Sequence, residues 1–400
     1  MNRPGGDRIV YLDNAATSWP KPPVVAEAMA DFLNNYGANP GRSGHRLAIE
    51  AGRTVYRARE AVALSLGAAD PLRVAFMHNA TAALNIALAG FLRPGDRVVA
   101  DGNAHNALAR PLAELERRGV RVDWAPCSGE GRLDLDRLAL LAQGARLLAI
   151  SHGSNVSGAL APLSEVAGIA ARAGAFLLID AAQTAGSFDI GLDGLGQAAL
   201  AFTGHKAMLG PGGTGGLAFS ARADIDAFSP LLRGGTGSRS EFEEQPSFMP
   251  DRFEAGTHNG PGLAGLLAGL GWIEGQDRKR LREHEAGLTL RLIEGLSALP
   301  GVRLYGPPAG QERCPVVSFT SEDVSPSDAA LELDERYGRL CRVGLHCAPR
   351  AHKSLGSFPG GSVRFAPGPF TTMDDIDYTL SSLAEALDNA RKPIGKAGRT

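Results

Sequence analysis

Ala198-Ala-Leu-Ala-Phe-Thr-Gly-His-Lys206 is an uncharged, mostly apolar run that stops at Thr203 and turns through Gly204 to a lysine. Its length and lack of polar alternation read as a strand buried on both faces, the kind found in parallel sheets covered by helices. Upstream, Phe176-Leu-Leu-Ile-Asp180 repeats the pattern and again ends in an ionisable group. Further apolar runs at 74–77, 97–100 and 146–150 read as companion strands. The stretches 81–90, 106–118, 133–141 and 163–173 between them have helical length and periodicity. Strand–helix alternation of this kind predicts an α/β fold with a large, mainly parallel sheet. Ligands in such sheets bind beyond the carboxyl ends of the strands, so Asp180 and Lys206 stand where chemistry is expected.

The pattern changes further along. Residues 237–250 are rich in Ser, Glu and Pro and read as an exposed loop. Helices are expected from 261 to about 274, over 278–299 and over 374–391, with strands at 302–305 and 316–320 forming a smaller α+β domain. The division expected is an N-terminal segment 1–25 packing with the small domain, a large domain over 26–260, a small domain over 261–391, and a frayed tail at 392–400. No internal repeat is present.

Composition bounds the function. The chain has 400 residues, 44% hydrophobic and 21% charged, enough apolar surface for a sizeable core. Lys plus Arg number 41 against 43 Asp plus Glu, which leaves no electrostatic footprint for nucleic acid or an anionic membrane. No signal-peptide pattern or run of 18 apolar residues occurs. Cys127, Cys314, Cys341 and Cys347 are too few for a disulfide scaffold and read as reduced thiols, which points to the cytoplasm.

A lysine and an aspartate at the ends of two strands of one sheet suit pyridoxal 5'-phosphate. The amine forms the Schiff base, and the carboxylate keeps the pyridine nitrogen protonated so the ring accepts electrons. The plainer alternative is that Asp180 caps a helix and Lys206 is a surface charge. A phosphate site is then needed. His78-Asn-Ala80-Thr81 opens a helix directly after a strand, where backbone N–H groups and the helix dipole bind anions. Thr203 and His205 offer further donors, while Thr81 could equally be an ordinary N-cap.

Cys341-Arg-Val-Gly-Leu-His-Cys347-Ala-Pro places a thiol among Arg342, His346, Arg350 and His352. A cationic setting of that kind lowers a thiol pKa and favours the reactive thiolate; a buried inert cysteine is the alternative. Cys341, His346, Cys347 and His352 match no zinc spacing, and no metal is expected. Gly210-Pro-Gly-Gly-Thr-Gly215 satisfies the dinucleotide pattern GxGxxG, yet it leads into an apparent strand at 216–219, where the fingerprint must open a helix.

Taken in order, these segments resemble the cysteine desulfurases of the class V aminotransferases, above all the group with an Arg-x-Gly-x-His-Cys-Ala motif that includes SufS-type enzymes and selenocysteine lyases. The resemblance covers about residues 10 to 390. It rests on Tyr11-Leu-Asp-Asn-Ala-Ala-Thr17, on the 39–45 loop ending at His45 and on Ser154-Asn-Val-Ser-Gly158. It also includes Asp180-x-x-Gln183, Gly-His-Lys206, Arg252-Phe-Glu-Ala-Gly-Thr257, the Cys347 motif and Ser362-Val-Arg364.

The resemblance implies the pyridoxal-phosphate type I fold, like aspartate aminotransferase. Lys206 would be the Schiff-base lysine, Asp180 the partner of the pyridine nitrogen, Gln183 that of the ring hydroxyl, and His105 the stacking residue. Ala80, Thr81, Thr203 and His205 would hold the phosphate, with Thr257 reaching over from the second subunit of a homodimer. Asn155 and Arg364, with Arg342 and His45, would receive the substrate, and Cys347 would be the nucleophile. The expected reaction converts L-cysteine to L-alanine and leaves a persulfide on Cys347 for a sulfur-acceptor protein, as in iron–sulfur cluster assembly. L-selenocysteine is the alternative substrate. Two departures stand out: Ala104 replaces the family's Glu before the stacking histidine, and His258 follows Thr257 where SufS-type members have proline. Rival readings are an aminotransferase of the same fold, which needs no Cys347, a non-catalytic protein that keeps the cofactor fold, and a nicotinamide dehydrogenase.

Overall fold

The computed structural model describes residues 8–41 and 43–391. The expected tail at 392–400, residues 1–7 and Arg42 of the 39–45 loop lie outside these residues.

The chain enters as β1 (Val10–Tyr11), α1 (Pro23–Asp31) and α2 (Arg46–Leu66). The main alternation follows: β2 (Val74–Met77), α3 (Ala80–Phe91), β3 (Arg97–Asp101), α4 (Asn106–Arg117), β4 (Arg121–Ala125), α5 (Leu135–Ala142), β5 (Leu147–Ser151), α6 (Leu163–Ala173), β6 (Phe176–Asp180), β7 (Ala198–Thr203) and β8 (Gly215–Phe219). One sheet of order β2-β8-β7-β6-β5-β3-β4 results. Strands β3 to β7 pair in parallel, and β8 runs against both of its neighbours. The strands read from apolar runs recur with ends within a residue or so. β4 is missed by that reading because it alternates: Arg121 is exposed, Val122, Asp123 and Trp124 half-buried, as suits an edge strand.

Period-two alternation sends neighbouring strand residues to opposite faces, and both faces are covered. Leu148, Ile150, Leu177, Ile179 and Leu200 pack with residues of α2, α5, α6 and α7 (Gly260–Gly275). Leu147, Ala149, Leu178, Ala199 and Ala201 pack with α3 and α4. The Gly-rich stretch after Lys206 does lead into a strand. A Cβ on Gly215 would stand 2.6 Å from Phe202 O and 2.7 Å from Asn79 Cα, so the glycine allows β8 to wedge between β7 and the start of α3.

The second layer holds α8 (Arg278–Ser297), β9 (Val302–Tyr305), β10 (Val317–Ser321), α9 (Pro326–Tyr337), β11 (Arg339–Leu340), β12 (Arg342–Gly344), α10 (Pro349–Leu355), β13 (Ser362–Phe365) and α11 (Met373–Arg391). β12-β13-β10-β9 form an antiparallel sheet. β1 pairs in parallel with β11, and Val10 and Leu12 join the core of this layer. Leu263, Leu266, Leu270 and Ile273 of α7 join the large-sheet core instead, so by packing the layers part after α7 rather than at residue 260. Residues 237–250 carry neither helix nor strand.

Candidate active site

The carboxyl ends of β2, β3, β5, β6 and β7 open on one cleft of about 920 Å³. Ala80, Thr81, His105, Asn155, Asp180, Gln183, Thr203, His205, Lys206, Arg342 and Arg364 all line it. These residues come from five strand ends and from β12 and β13, which explains their scatter through the sequence.

Lys206 is withdrawn from water, and burial pulls its amine down to about 8, with Asp180 opposing the fall. Asp180 accepts from Ala182 N at 3.0 Å, a local turn rather than a helix cap. Burial raises its pKa, while the Ala182 amide and Lys206 hold it down. Gln183 Nε2 donates to Ala15 O at 3.0 Å. The lysine turn is gripped from the N-terminal segment: His205 O accepts from Ser18 N at 3.0 Å, Thr17 Oγ1 at 3.1 Å and Lys21 Nζ at 2.8 Å, and Lys206 O accepts from Ser18 Oγ at 2.9 Å. A second carboxyl, Asp101, lies buried at the end of β3, accepting from Asn103 N and Ser151 N. Its desolvation raises it to about 6.

At the other end of the cleft α3 begins. Its N-cap is Asn79, which accepts from Ala82 N at 2.9 Å, so the N-cap alternative for Thr81 falls, and Thr81 lines the cleft at the first turn of α3. His105 caps α4: ring Nδ1 accepts from Ala107 N at 3.0 Å, which assigns the neutral ring's proton to Nε2. Burial, then Lys206 and neighbouring arginines, bring its pKa down to about 4.

Cys347 lies in the loop between β12 and α10, exposed, with φ of +56° after +48° at His346. Two bonds from the large layer hold this left-handed pair: Asn155 Nδ2 donates to His346 O at 2.8 Å, and Asn106 N to Cys347 O at 2.7 Å. The expected ring of cations needs correction. Arg342 Nη2 alone approaches the thiol, at 3.9 Å. Arg350 instead covers the Trp124 ring, 3.3 Å from its centroid. His346 and His352 are buried against Ser362 and Ser357, and desolvation drops them to about 2 and about 4. They are neutral because the loop folds them inward. Burial pushes the thiols of Cys127, Cys314 and Cys341 up to about 12, which makes them inert. Among the described residues no three His, Cys, Asp or Glu side chains gather as a metal-binding group.

Arg364, buried on β13, donates from Nη1 to Asn155 O at 2.9 Å and from Nη2 to Asp13 Oδ1 at 2.5 Å. Two expected site residues lie outside the cleft lining. His45 is exposed and caps α2, accepting from Ala48 N at 3.3 Å. Thr257 is exposed, three residues after buried Glu254, which takes a two-bond ion pair from Arg59 at 2.6 and 2.9 Å. The residues that sequence reasoning did not single out are Asp13, Ser18, Lys21 and Asp101. The opening motif 11–17 was the available signal for the first.

The donor set fits pyridoxal 5'-phosphate: a desolvated amine, a carboxylate at the strand end beside it, and free helix-terminal amides across the cleft. A family model described as Aminotransferase class-V matches residues 10–379. A probable cysteine desulfurase 2 of Mycobacterium leprae is 34% identical over 396 residues, covering 96% of this chain and 93% of its own. The apo structure of a cysteine desulfurase from Thermococcus onnurineus NA1 superposes with a TM-score of 0.88 at 33% identity, covering 95% of both chains. The Escherichia coli cysteine desulfurase CsdA, solved as an S-sulfonic acid form, gives 0.84 at 29% identity, covering 95% of this chain and 94% of its own. Among the described residues no helix is long and apolar enough to cross a membrane. With cofactor chemistry, motif order and full-length likeness in agreement, the chain belongs to the class V aminotransferases, a pyridoxal-phosphate family, and stands among its cysteine desulfurases.

Proposed function

We propose that the protein is a pyridoxal-phosphate-dependent cysteine desulfurase that converts L-cysteine to L-alanine and retains the sulfur on Cys347. The observation that carries the reading is the meeting of two chemistries at one cleft: Lys206 and Asp180 on its floor, and an exposed thiol clamped at its rim beside Arg342. When bound, pyridoxal 5'-phosphate supplies an electron sink that weakens bonds at the substrate's α and β carbons. Lys206 would hold it, Asp180 and Gln183 would bond its ring, His105 would stack on it, and Ala80, Thr81, Thr203 and His205 would take its phosphate.

The chain's own residues do the rest. Arg364 and Asn155, with Arg342, receive the substrate carboxylate through a guanidinium fork. Lys206, with a pKa near 8, carries a proton to and from the substrate at neutral pH. His105 stays neutral and presents its Nε2 proton. The Cys347 thiolate attacks the substrate sulfur. The Cβ–S bond breaks with its electron pair remaining on carbon, a proton is added there, and alanine leaves.

Further parts of the proposal concern assembly. Thr257 lies outside its own chain's cleft, and Leu231, Leu232, Phe242 and Phe248 are exposed in the same region. This supports a homodimer in which Thr257 reaches the partner's phosphate. A sulfur-acceptor protein, a place in iron–sulfur cluster assembly and a cytoplasmic setting complete the reading, as do a large unit that runs through α7, a small unit after it and a role for His45 toward substrate. The decisive test compares alanine formed from L-cysteine by the wild type and by Cys347→Ala, with reductant present. Alanine from the wild type and none from the variant is expected. Equal alanine from both would leave a generic pyridoxal lyase.

A further inference from the structure

Beyond β3 the chain turns through Gly102 to His105, and the turn is tied on two sides. Toward β4, Gly102 N donates to Ala125 O at 2.9 Å. Toward β5 the tie is a side chain. The β3–β5 ladder ends at the Ala100–Ala149 pair. Past it Asp101 Oδ2 accepts from Ser151 N at 2.7 Å, while Oδ1 accepts from Asn103 N of the turn at 2.8 Å. Ser151 is in turn the register partner of Asp180 across β5 and β6. One carboxylate thus joins the turn that leads into His105 to the strand end that stands beside Asp180.

Asn103, His105, Ser151 and Asp180 line the cleft; Asp101 is 1% exposed and lies behind them. It is the only carboxyl of residues 101–105, and Ala104 next to His105 is apolar and buried. Among the described residues no cation neutralises it. Burial raises its pKa to about 6, the Ser151 and Asn103 amides hold it down, and Asp180 pushes it up. Cys127, also against it, stays a thiol. Asp101 is therefore ionised at neutral pH, and a buried charge without a counter-ion is held by two N–H groups aimed at its two oxygens.

We propose that Asp101 is a positioning residue for the cofactor. By bridging Asn103 N and Ser151 N it fixes the distance of His105 from Asp180, a role that rests on the reading of these two as the groups that stack on the ring and bond its nitrogen. An amide cannot do the same. Asparagine has one acceptor oxygen, and its NH2 would confront the other backbone N–H, leaving two donors face to face away from water. The turn would relax away from β5 and carry His105 with it, while Asp180 and the Lys206 turn keep their places.

The test compares the wild-type holoenzyme with Asp101→Asn by the visible circular dichroism of the bound cofactor and by the rate of its release, with urea unfolding of the apoenzyme alongside. The variant should keep the cofactor's absorbance, because Lys206 is untouched, but lose about half of its dichroism or more and release it about tenfold faster. A carboxylate that only stabilises the fold would lower urea stability and leave dichroism and release as in the wild type, and that outcome overturns the proposal. If Asp101→Asn does not fold, Asp101→Ser takes its place: the hydroxyl can keep the local bond to Asn103 N but is too short to reach Ser151 N as well, and the same two readouts decide. The underlying reading fails separately, since His105→Ala would then leave dichroism and release unchanged.

Discussion

The lysine turn and the thiol loop face each other across one cleft and are built in opposite ways. The turn around Lys206 ends a strand buried on both faces, and four donors from residues 17–21 grip its carbonyls. The loop around Cys347 lies at the rim, in a left-handed backbone rare for side chains of this size, with its two carbonyls tied by Asn155 and Asn106. The difference matches the tasks proposed for them. An electron sink must not move relative to its counter-ion, whereas a group that collects sulfur and hands it on must reach both inward and outward.

The sharpest way to break this comparison is to remove each centre in turn. Lys206→Ala and Cys347→Ala should each lower alanine formation by roughly 10³-fold or more, but with opposite signatures. Lys206→Ala loses the cofactor's bound absorbance, and Cys347→Ala keeps it. Should Cys347→Ala also lose the cofactor, the two regions would not be separable.

A smaller effect is expected from Asn106→Pro. Residue 106 opens α4, a position where proline is tolerated, and His105 before it is already extended at φ −66°, ψ 157°. The substitution deletes the N–H that holds Cys347 O and little else. Alanine formation should fall by about tenfold with unchanged cofactor absorbance, while Cys347 alkylates faster. An unaltered alkylation rate would show that the tie does not govern the loop.

Lys21→Met tests the grip on the other side. His205 O keeps its bonds from Ser18 N and Thr17 Oγ1, so removing this one donor should cost only about 0.5–1.5 kcal/mol in urea unfolding and weaken cofactor retention, without altering Cys347 alkylation.

An effect of similar size concerns a second cavity behind Lys206, lined also by Gln183 and Glu285. Burial alone raises the Glu285 carboxyl to about 8 from an ordinary 4.5. A raised pKa means the folded state holds the proton more tightly, so stability falls as pH rises from about 4.5 to about 8. Glu285→Gln should therefore match the wild type below pH 4.5 and exceed it at pH 8, by on the order of 1–2 kcal/mol in urea titrations. Parallel curves at both pH values would contradict it.

The large sheet was legible because its strands are apolar runs and its helices periodic. The edge strand β4 and the helix α9 escaped because half-exposed elements carry fewer apolar residues. Lys206 and Asp180 could be found because strand ends announce themselves in sequence. Cys347's true surroundings could not: four basic side chains within eleven residues suggested a cluster, and backbone geometry turned three of them away. The pairing of Asp13 with Arg364 joins residues 351 apart, and the acceptors at His205 and Lys206 are carbonyls, which carry no sequence signature.

That separation has a consequence for synthesis. At ribosomal rates of about 5–20 residues per second, Asp13 emerges roughly 20–70 s before Arg364, and β1 waits almost as long for β11. The large sheet can assemble while translation proceeds, but the Asp13–Arg364 pair and the β1–β11 pairing cannot form until nearly the whole chain has left the ribosome. A nascent chain that captured the cofactor early would hold it in an open floor, and the thiol able to use it is made long after Lys206.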